Sequence, residues 1–364
     1  MSLGEPVLYS LYVYAPNQGA PIFFAAAFAV SAVFHIWQCF RYRAWKLIGL
    51  HPFCAVLFMV GYALRAYGSH HYIFNPSDKS PLLVFVLSQV FIFVCPPLLE
   101  LANYHVLGRI FYYVPHLAPI NPSRVLAIFG GVMAVVELLN ALGVALAANP
   151  TSSSNTQGRG QALILAAISI QIGLITLFVS VAVIFHRRCV RADNLPSRSR
   201  AVKVVLPTLY ASMALIFVRC IYRLVEHTGQ TKVKLDSMEA LRALSPILRY
   251  EVYFYIFEAA LMLLNSLLWN VWHPGRYLPR SHHIYLTREG AEVEGTKVVD
   301  SRPAWAKVAN LLAFGLLFPR KKGHQADGGF QELSELHSRN HGANNNVNRP
   351  RTESSAPINP ARAT

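Results

Sequence analysis

Five charged residues sit where charge is costly. Arg219, Arg223 and Glu226 lie inside the apolar run 202–226, and Glu251 and Glu258 inside the run 250–272. An ionisable side chain at the centre of a bilayer costs about 2.5–3.5 kcal/mol on insertion scales, so each needs a partner, a polar cavity or a function. Opposite charges at matched depth form ion pairs. A carboxylate left over binds a proton or a cationic head group. On an ideal helix Glu251, Tyr255, Glu258, Met262 and Asn265 fall on one stripe, and Thr208, Ser212, Arg219, Arg223 and Glu226 fall on another. Those stripes must face protein or water rather than lipid.

Depth suggests the pairing. The run 202–226 and the run 250–272 cross in opposite senses, and at ~1.5 Å per residue Arg219 and Glu258 both lie about 10–12 Å from the same end. The expectation is a deep Arg219–Glu258 pair and a shallow Arg223–Glu251 pair, with Arg65 near the same outer level. Elsewhere the polar groups in apolar runs are His35, Gln38, Gln89, Glu100, Glu137, Asn140 and Gln171. Glu100 and Glu137 have no obvious basic partner in the sequence, which makes them candidates for proton or substrate binding. His35 and Gln171 read more simply as hydrogen bonds between helices. Pro96-Pro97 removes backbone donors beside Glu100, so a kink is expected there.

The segments that hold these residues are membrane spans. Of 364 residues, 54% are hydrophobic and 14% charged, against about 25% charged in soluble domains. Seven runs, near 21–40, 48–67, 82–106, 125–147, 162–185, 202–226 and 250–272, reach the ~20 residues needed to cross a bilayer. The fold class is therefore an all-α integral membrane bundle of seven helices. The net charge of +15 does not point to nucleic acid, because Lys and Arg crowd the connections instead of forming a face with stacking aromatics. Eleven lie on one side of the bundle and six on the other. The richer side is expected to be cytosolic, with the N-terminus outside and the C-terminus inside.

Residues 1–20 then form an extracellular arm, 21–272 the membrane domain and 273–322 a cytosolic juxtamembrane segment. Within the last, 303–318 is apolar but short and flanked by Arg320-Lys321-Lys322; it reads as an interfacial helix, with an eighth span as the alternative. Residues 323–364 have the composition of a disordered tail that could meet cytosolic partners, and 150–160 that of a flexible loop. The lack of a basic n-region argues against a cleaved signal peptide. Five cysteines show no CxxC spacing, and each Asn-X-Ser/Thr triplet has proline at its centre. Neither a metal motif, a glycosylation acceptor nor a phosphate-binding loop is present, so no metal or cofactor is expected.

Arg219–Gly229 (RCIYRLVEHTG), Tyr250–Met262 (YEVYFYIFEAALM) and His273–Gly275 (HPG) resemble the fungal RTA-like family, also called lipid-translocating exporters. Supporting pieces are Tyr14–Asn17 (YAPN), His35 with Gln38, Gly61–Arg65 (GYALR), Cys95-Pro96, Tyr104, Leu107–Arg109 and Gln171. The chain departs from the family pattern at Phe58, where an acid is usual, at Met133 and Asn140, where Asp and Gln are usual, and at Glu258, which replaces Asp. The resemblance implies export of sphingoid bases or other lipids at the plasma membrane and resistance to toxic amphiphiles, with membrane lipids as partners. A second reading of the same residues is a seven-helix sensor that binds an amphiphile without moving it. A third, an intramembrane zinc hydrolase, needs several histidines, including an HxxxH pair on the last helix, and that helix has none. No enzymatic activity is expected.

Overall fold

The computed structural model describes residues 5–74, 77–147, 154–192, 201–229, 237–279, 281, 284–287 and 291–294. The expected interfacial helix 303–318 and tail 323–364 lie outside the described residues. Seven helices are long and apolar enough to cross a membrane: α1 Gly19–Tyr42, α2 Leu50–Gly68, α3 Ser80–Tyr113, α4 Leu126–Ala147, α5 Asn155–Arg191, α6 Val202–Thr228 and α7 Glu251–Arg276. The chain is an integral, multi-pass membrane protein.

The bundle is apolar outside and mixed inside. On α1, Phe23, Val33, Phe34, Trp37 and Phe40 are exposed, whereas Ser31, His35 and Gln38 are buried. Lipid accepts the first set; the second can be satisfied only by neighbouring helices. Consecutive helices pack as antiparallel pairs, α3 also meets α6, and α7 closes the bundle between α1 and α6. Small residues let two of these contacts come close. A Cβ on Gly61 of α2 would stand 2.9 Å from Ile92 of α3. A Cβ on Gly160 would stand 2.6 Å from the Ala147 backbone nitrogen and 2.7 Å from the Gly143 carbonyl, fixing the α4–α5 crossing.

The structure corrects several expectations. α3 and α5 run well beyond 82–106 and 162–185, because a helix that leaves the bilayer still satisfies its own backbone and has no reason to stop there. Residues 154–160 belong to a helix and not a loop; packing of Gly160 on α4 outweighs their weak helix propensity. Two short strands, β1 Ile284–Leu286 and β2 Glu292–Glu294, pair antiparallel within the segment that follows α7. Arg109 of α3 donates to the Ser281 carbonyl at 2.8 Å, and Tyr113 donates to Glu292 at 2.7 Å, tying that segment to α3.

The N-terminal residues form a folded cap. Val7 N–H donates to the Val13 carbonyl, Leu11 N–H to Tyr72 and Phe74 N–H to Tyr9. Tyr9 and Val13 have positive φ, 58° and 72°, a left-handed conformation that non-glycine residues adopt only in tight turns. Val13 is buried with Leu241 and Leu244 of the α6–α7 connection. The end of the bundle under this cap is called the cap end below.

Gly160→Ala is expected to lower the thermal unfolding midpoint in detergent, by a stability loss of about 1–3 kcal/mol for overpacking. Gly158→Ala, at a position with no atom within 4 Å of the added Cβ, should leave the midpoint unchanged or raise it slightly. Equal midpoints for the two variants would show that the α4–α5 approach is not tight.

Candidate functional site

Polar side chains of all seven helices meet in a column along the bundle axis, in three groups. At the cap end Arg65 of α2, almost fully buried, pairs with Glu251 at 3.2 Å. Glu251 is the first residue of α7, where the positive end of the helix dipole favours a carboxylate. Its second oxygen accepts the Asn17 N–H at 2.7 Å. Arg65 also donates to the Tyr14 hydroxyl at 3.0 Å and the Tyr255 hydroxyl at 3.3 Å, and its guanidinium lies over the rings of Phe254 and Tyr12, 4.1 and 4.7 Å from their centroids. Burial pushes the Tyr14 phenol up to about 12 against the opposing pull of Arg65, so it stays protonated as a neutral partner.

The central group contains the deepest charges. Arg219 Nε donates to Glu258 Oε1 at 2.7 Å, and Glu258 has no exposed surface. α7 winds as a π-helix over Tyr255–Ala260, a local widening that often marks a functional site and here presents Glu258. Its other oxygen, Oε2, is buried with no hydrogen-bond partner among the described residues. Glu100 of α3, also fully buried, accepts hydrogen bonds from the Tyr104 hydroxyl and from Gln171 of α5, the latter at 2.8 Å. Glu137 of α4 lies in electrostatic range of both Glu100 and Arg219, with Asn140 beside it. Glu258 thus contacts the Arg219 guanidinium directly, and Glu100 and Glu137 lie within its electrostatic range. One helical layer further on, Ser212 Oγ accepts from Asn103 at 2.8 Å and from Trp269 at 3.0 Å. Asn103 Oδ1 and both side-chain polar atoms of Asn265 are buried and unpartnered.

The third group joins α1 to α7 at the opposite end. Ser31 and Ser266 share a hydrogen bond of 2.7 Å, Asn270 donates to Ser31 Oγ at 2.6 Å, Gln38 donates to the Asn270 carbonyl at 2.7 Å, and His35 Nε2 lies 3.2 Å from Ser266.

The expected Arg219–Glu258 pair is present, but the expected Arg223–Glu251 pair is not. Arg223 instead binds Glu226 at 2.5 Å on its own helix, touches His227 at 3.1 Å and covers the Phe93 ring at 4.3 Å. Depth along a helix follows from residue counting, whereas the direction each side chain faces depends on which helices are neighbours; α2 and not α6 presents its cation to Glu251. Glu100 has partners the sequence did not reveal, Tyr104 and Gln171. Phe58, standing where the family resemblance implies an acid, stacks on Phe28 at 4.5 Å. His35 and Gln171 do bond between helices, to Ser266 and Glu100. Asn103, Trp269 and Asn270 escaped the sequence reading; a signal for Ser31 was its four- and seven-residue spacing from His35 and Gln38.

Arg219→Ala should destabilise the detergent-solubilised protein by about 3–5 kcal/mol, because Glu258 is left buried and unpaired. Arg219→Ala with Glu258→Ala should recover part of that loss in the same melting experiment, and no recovery would refute a stabilising pair. Glu251→Gln should speed amide hydrogen exchange over residues 5–18, since the neutral side chain holds Arg65 and Asn17 less firmly; unchanged exchange would show that the cap does not depend on this carboxylate.

The family described as "RTA1 like protein" matches residues 52–281. A protein of Leptosphaeria maculans named "Lipid-translocating exporter-like protein RTA1" is 56% identical over 321 residues, 88% of this chain but 61% of that relative. One of the same name from Ajellomyces capsulatus is 32% identical over 66% of this chain and 74% of its own length. The "Probable lipid transporter atnI" of Emericella nidulans is 24% identical over 74% of this chain and 68% of its own length. No solved structure matches the chain. The seven-helix architecture, the polar column and a family match over most of the membrane domain lead to one assignment: the chain belongs to the RTA1-like protein family.

Proposed function

We propose that this protein translocates single-chain amphiphiles with a cationic head, of which a sphingoid base is the type, across the plasma membrane, and that it does so without covalent chemistry. The observation that carries the reading is the central group. Glu258 pairs with Arg219, Glu100 and Glu137 lie within electrostatic range of the same guanidinium, and Glu258 Oε2 is buried without a partner among the described residues. An ammonium head supplies both the missing charge and the missing donors. The apolar chain stays among the lipid-facing side chains of the bundle. Names given to the relatives support lipid handling, and loss of a toxic amphiphile through such a path would confer resistance to it. In the orientation favoured by the basic connections, the cap end faces outside.

Glu100 and Glu258 have no exposed surface, so a head group reaches them only after the helices part. The arrangement is therefore a closed state, with the Arg65–Glu251 contact and cap at one end and the α1–α7 hydrogen bonds at the other. Opening one end while the other stays shut is the minimal requirement for directed movement. The second reading, a sensor that binds the same head group and stays put, uses the same side chains and differs only in whether both ends open.

Efflux of a fluorescent sphingoid base from cells lacking their own exporter separates the two. Cells expressing the wild type should clear the lipid faster than empty cells, Glu258→Gln should lose most of that gain, and Glu226→Gln, which alters the peripheral Arg223 contact, should keep it. Efflux no faster than in empty cells, from protein present at the surface, would remove the transport reading and favour the sensor.

A further inference from the structure

Three histidines converge where α1, α2 and the end of α7 meet, at the end away from the cap. His35, His51 and His273 come from separate elements, and none has more than 1% of its surface exposed. The His35 and His51 rings lie 5.6 Å apart, His51 lies 5.4 Å from the Trp269 ring, and His273 stacks on Tyr42 at 5.3 Å. Four ring nitrogens have no hydrogen-bond partner among the described residues: His35 Nδ1, both nitrogens of His51, and His273 Nε2. His273 Nδ1 accepts the Gly275 N–H at 3.1 Å, so a neutral ring must carry its proton on Nε2, as an unused donor. Among the described residues no carboxylate forms an ion pair with any of the three. The charged and titratable groups around them are one another, Tyr42, and Arg276, which donates to the Tyr42 hydroxyl at 3.1 Å and acts electrostatically on His273.

Unpaired polar atoms in a buried position are costly, and neutral imidazoles crowded without an acid have nothing to anchor. A site of this kind has one ligand that needs no space: a proton, admitted together with water. We propose that the His35–His51–His273 cluster is a proton-binding site, and that proton uptake there releases the α1–α7 latch. The latch is next to the cluster through His35. In an imidazolium both nitrogens donate: Ser266 Oγ accepts from His35 Nε2 while donating to Ser31, but Nδ1–H is left buried with no acceptor among the described residues, beside a latch that holds no counter-charge. A second positive charge among three close rings is repelled, so one proton per cluster is expected. Because an ionised ring is admitted to a low-dielectric interior only with water or a counter-charge, the proton favours the wetter, open arrangement of this end. Acidification shifts the population toward it.

Trp269 reports on the site directly. Full-length protein in detergent micelles is titrated from about pH 8 to about pH 4 while tryptophan emission is recorded, with Trp269→Phe as the subtraction. Imidazolium beside the indole quenches it, so the Trp269 component should fall toward the acid end of that interval, because burial and the neighbouring rings resist the added charge. His51→Gln should abolish the fall, and His35→Gln should move its midpoint. Alkylation of buried Cys39 by a small maleimide, with Cys39→Ala as the blank and each rate divided by that of a free small-molecule thiol at the same pH to remove the loss of thiolate, should accelerate several-fold over the same interval as the end opens. A flat Trp269 component overturns the proposal, as does a fall that survives His51→Gln or a change that appears only with added zinc, which would make this a metal site. If His51→Gln does not fold, the wild type and Trp269→Phe decide alone: a fall supports proton binding and a flat signal refutes it. No lipid enters the measurement, so its failure leaves the transport reading untouched, and failure of lipid efflux leaves this one untouched.

Discussion

A guanidinium inside a bilayer must be matched, and the Arg219–Glu258 contact is where this structure meets that requirement most deeply. Charges in a medium of low dielectric interact far more strongly than in water, and a charge left alone there is penalised by several kcal/mol. The rest of the bundle follows from satisfying it. α6 and α7 must lie antiparallel with Arg219 and Glu258 at one level, the π-helical turn of α7 brings the carboxylate into line, and the layers on either side are filled by groups that can hydrogen-bond. The pair is only partly saturated. One carboxylate oxygen remains without a partner among the described residues, and Glu100 and Glu137 lie within electrostatic range of the same guanidinium.

The two ends of the polar column are closed by different chemistry. At the cap end the closure is ionic and aromatic: Arg65, held by Glu251, Tyr14 and Tyr255 and sandwiched by rings, with the backbone of Asn17 joining the cap to the same carboxylate. At the other end it is neutral, a set of serine, asparagine and glutamine hydrogen bonds between α1 and α7 with histidines beside them. Ionic contacts in a dry site are strong and slow to exchange with water; neutral hydrogen bonds between helices are worth about 0.6 kcal/mol each on average in a membrane. The second end is the one that a small perturbation can open.

Close helix approach gives the column its narrowness. Gly61 against Ile92 and Gly160 against Ala147 and Gly143 leave no room for a side chain, and there is no hydrophobic driving force between helices in lipid to compensate for looser packing. Aromatic stacking of Phe28 with Phe58 and Tyr62 fills the space on the α1–α2 side.

Composition and hydropathy determined the seven spans, because apolar length is a property of each segment alone. Residue counting determined the level of Arg219 and Glu258, because rise per residue is constant along a helix. Neither determines which helices are neighbours. Arg65 rather than Arg223 pairs with Glu251, and Glu100 rests on Tyr104 and Gln171, because the direction a side chain faces depends on the packing of the whole bundle. The cap, the helical course of residues 154–160 and the meeting of His35, His51 and His273 were decided at the same level. His51 stands at the start of one helix and His273 at the end of another, 222 positions apart in the chain, and only closure of α7 against α1 and α2 brings them together.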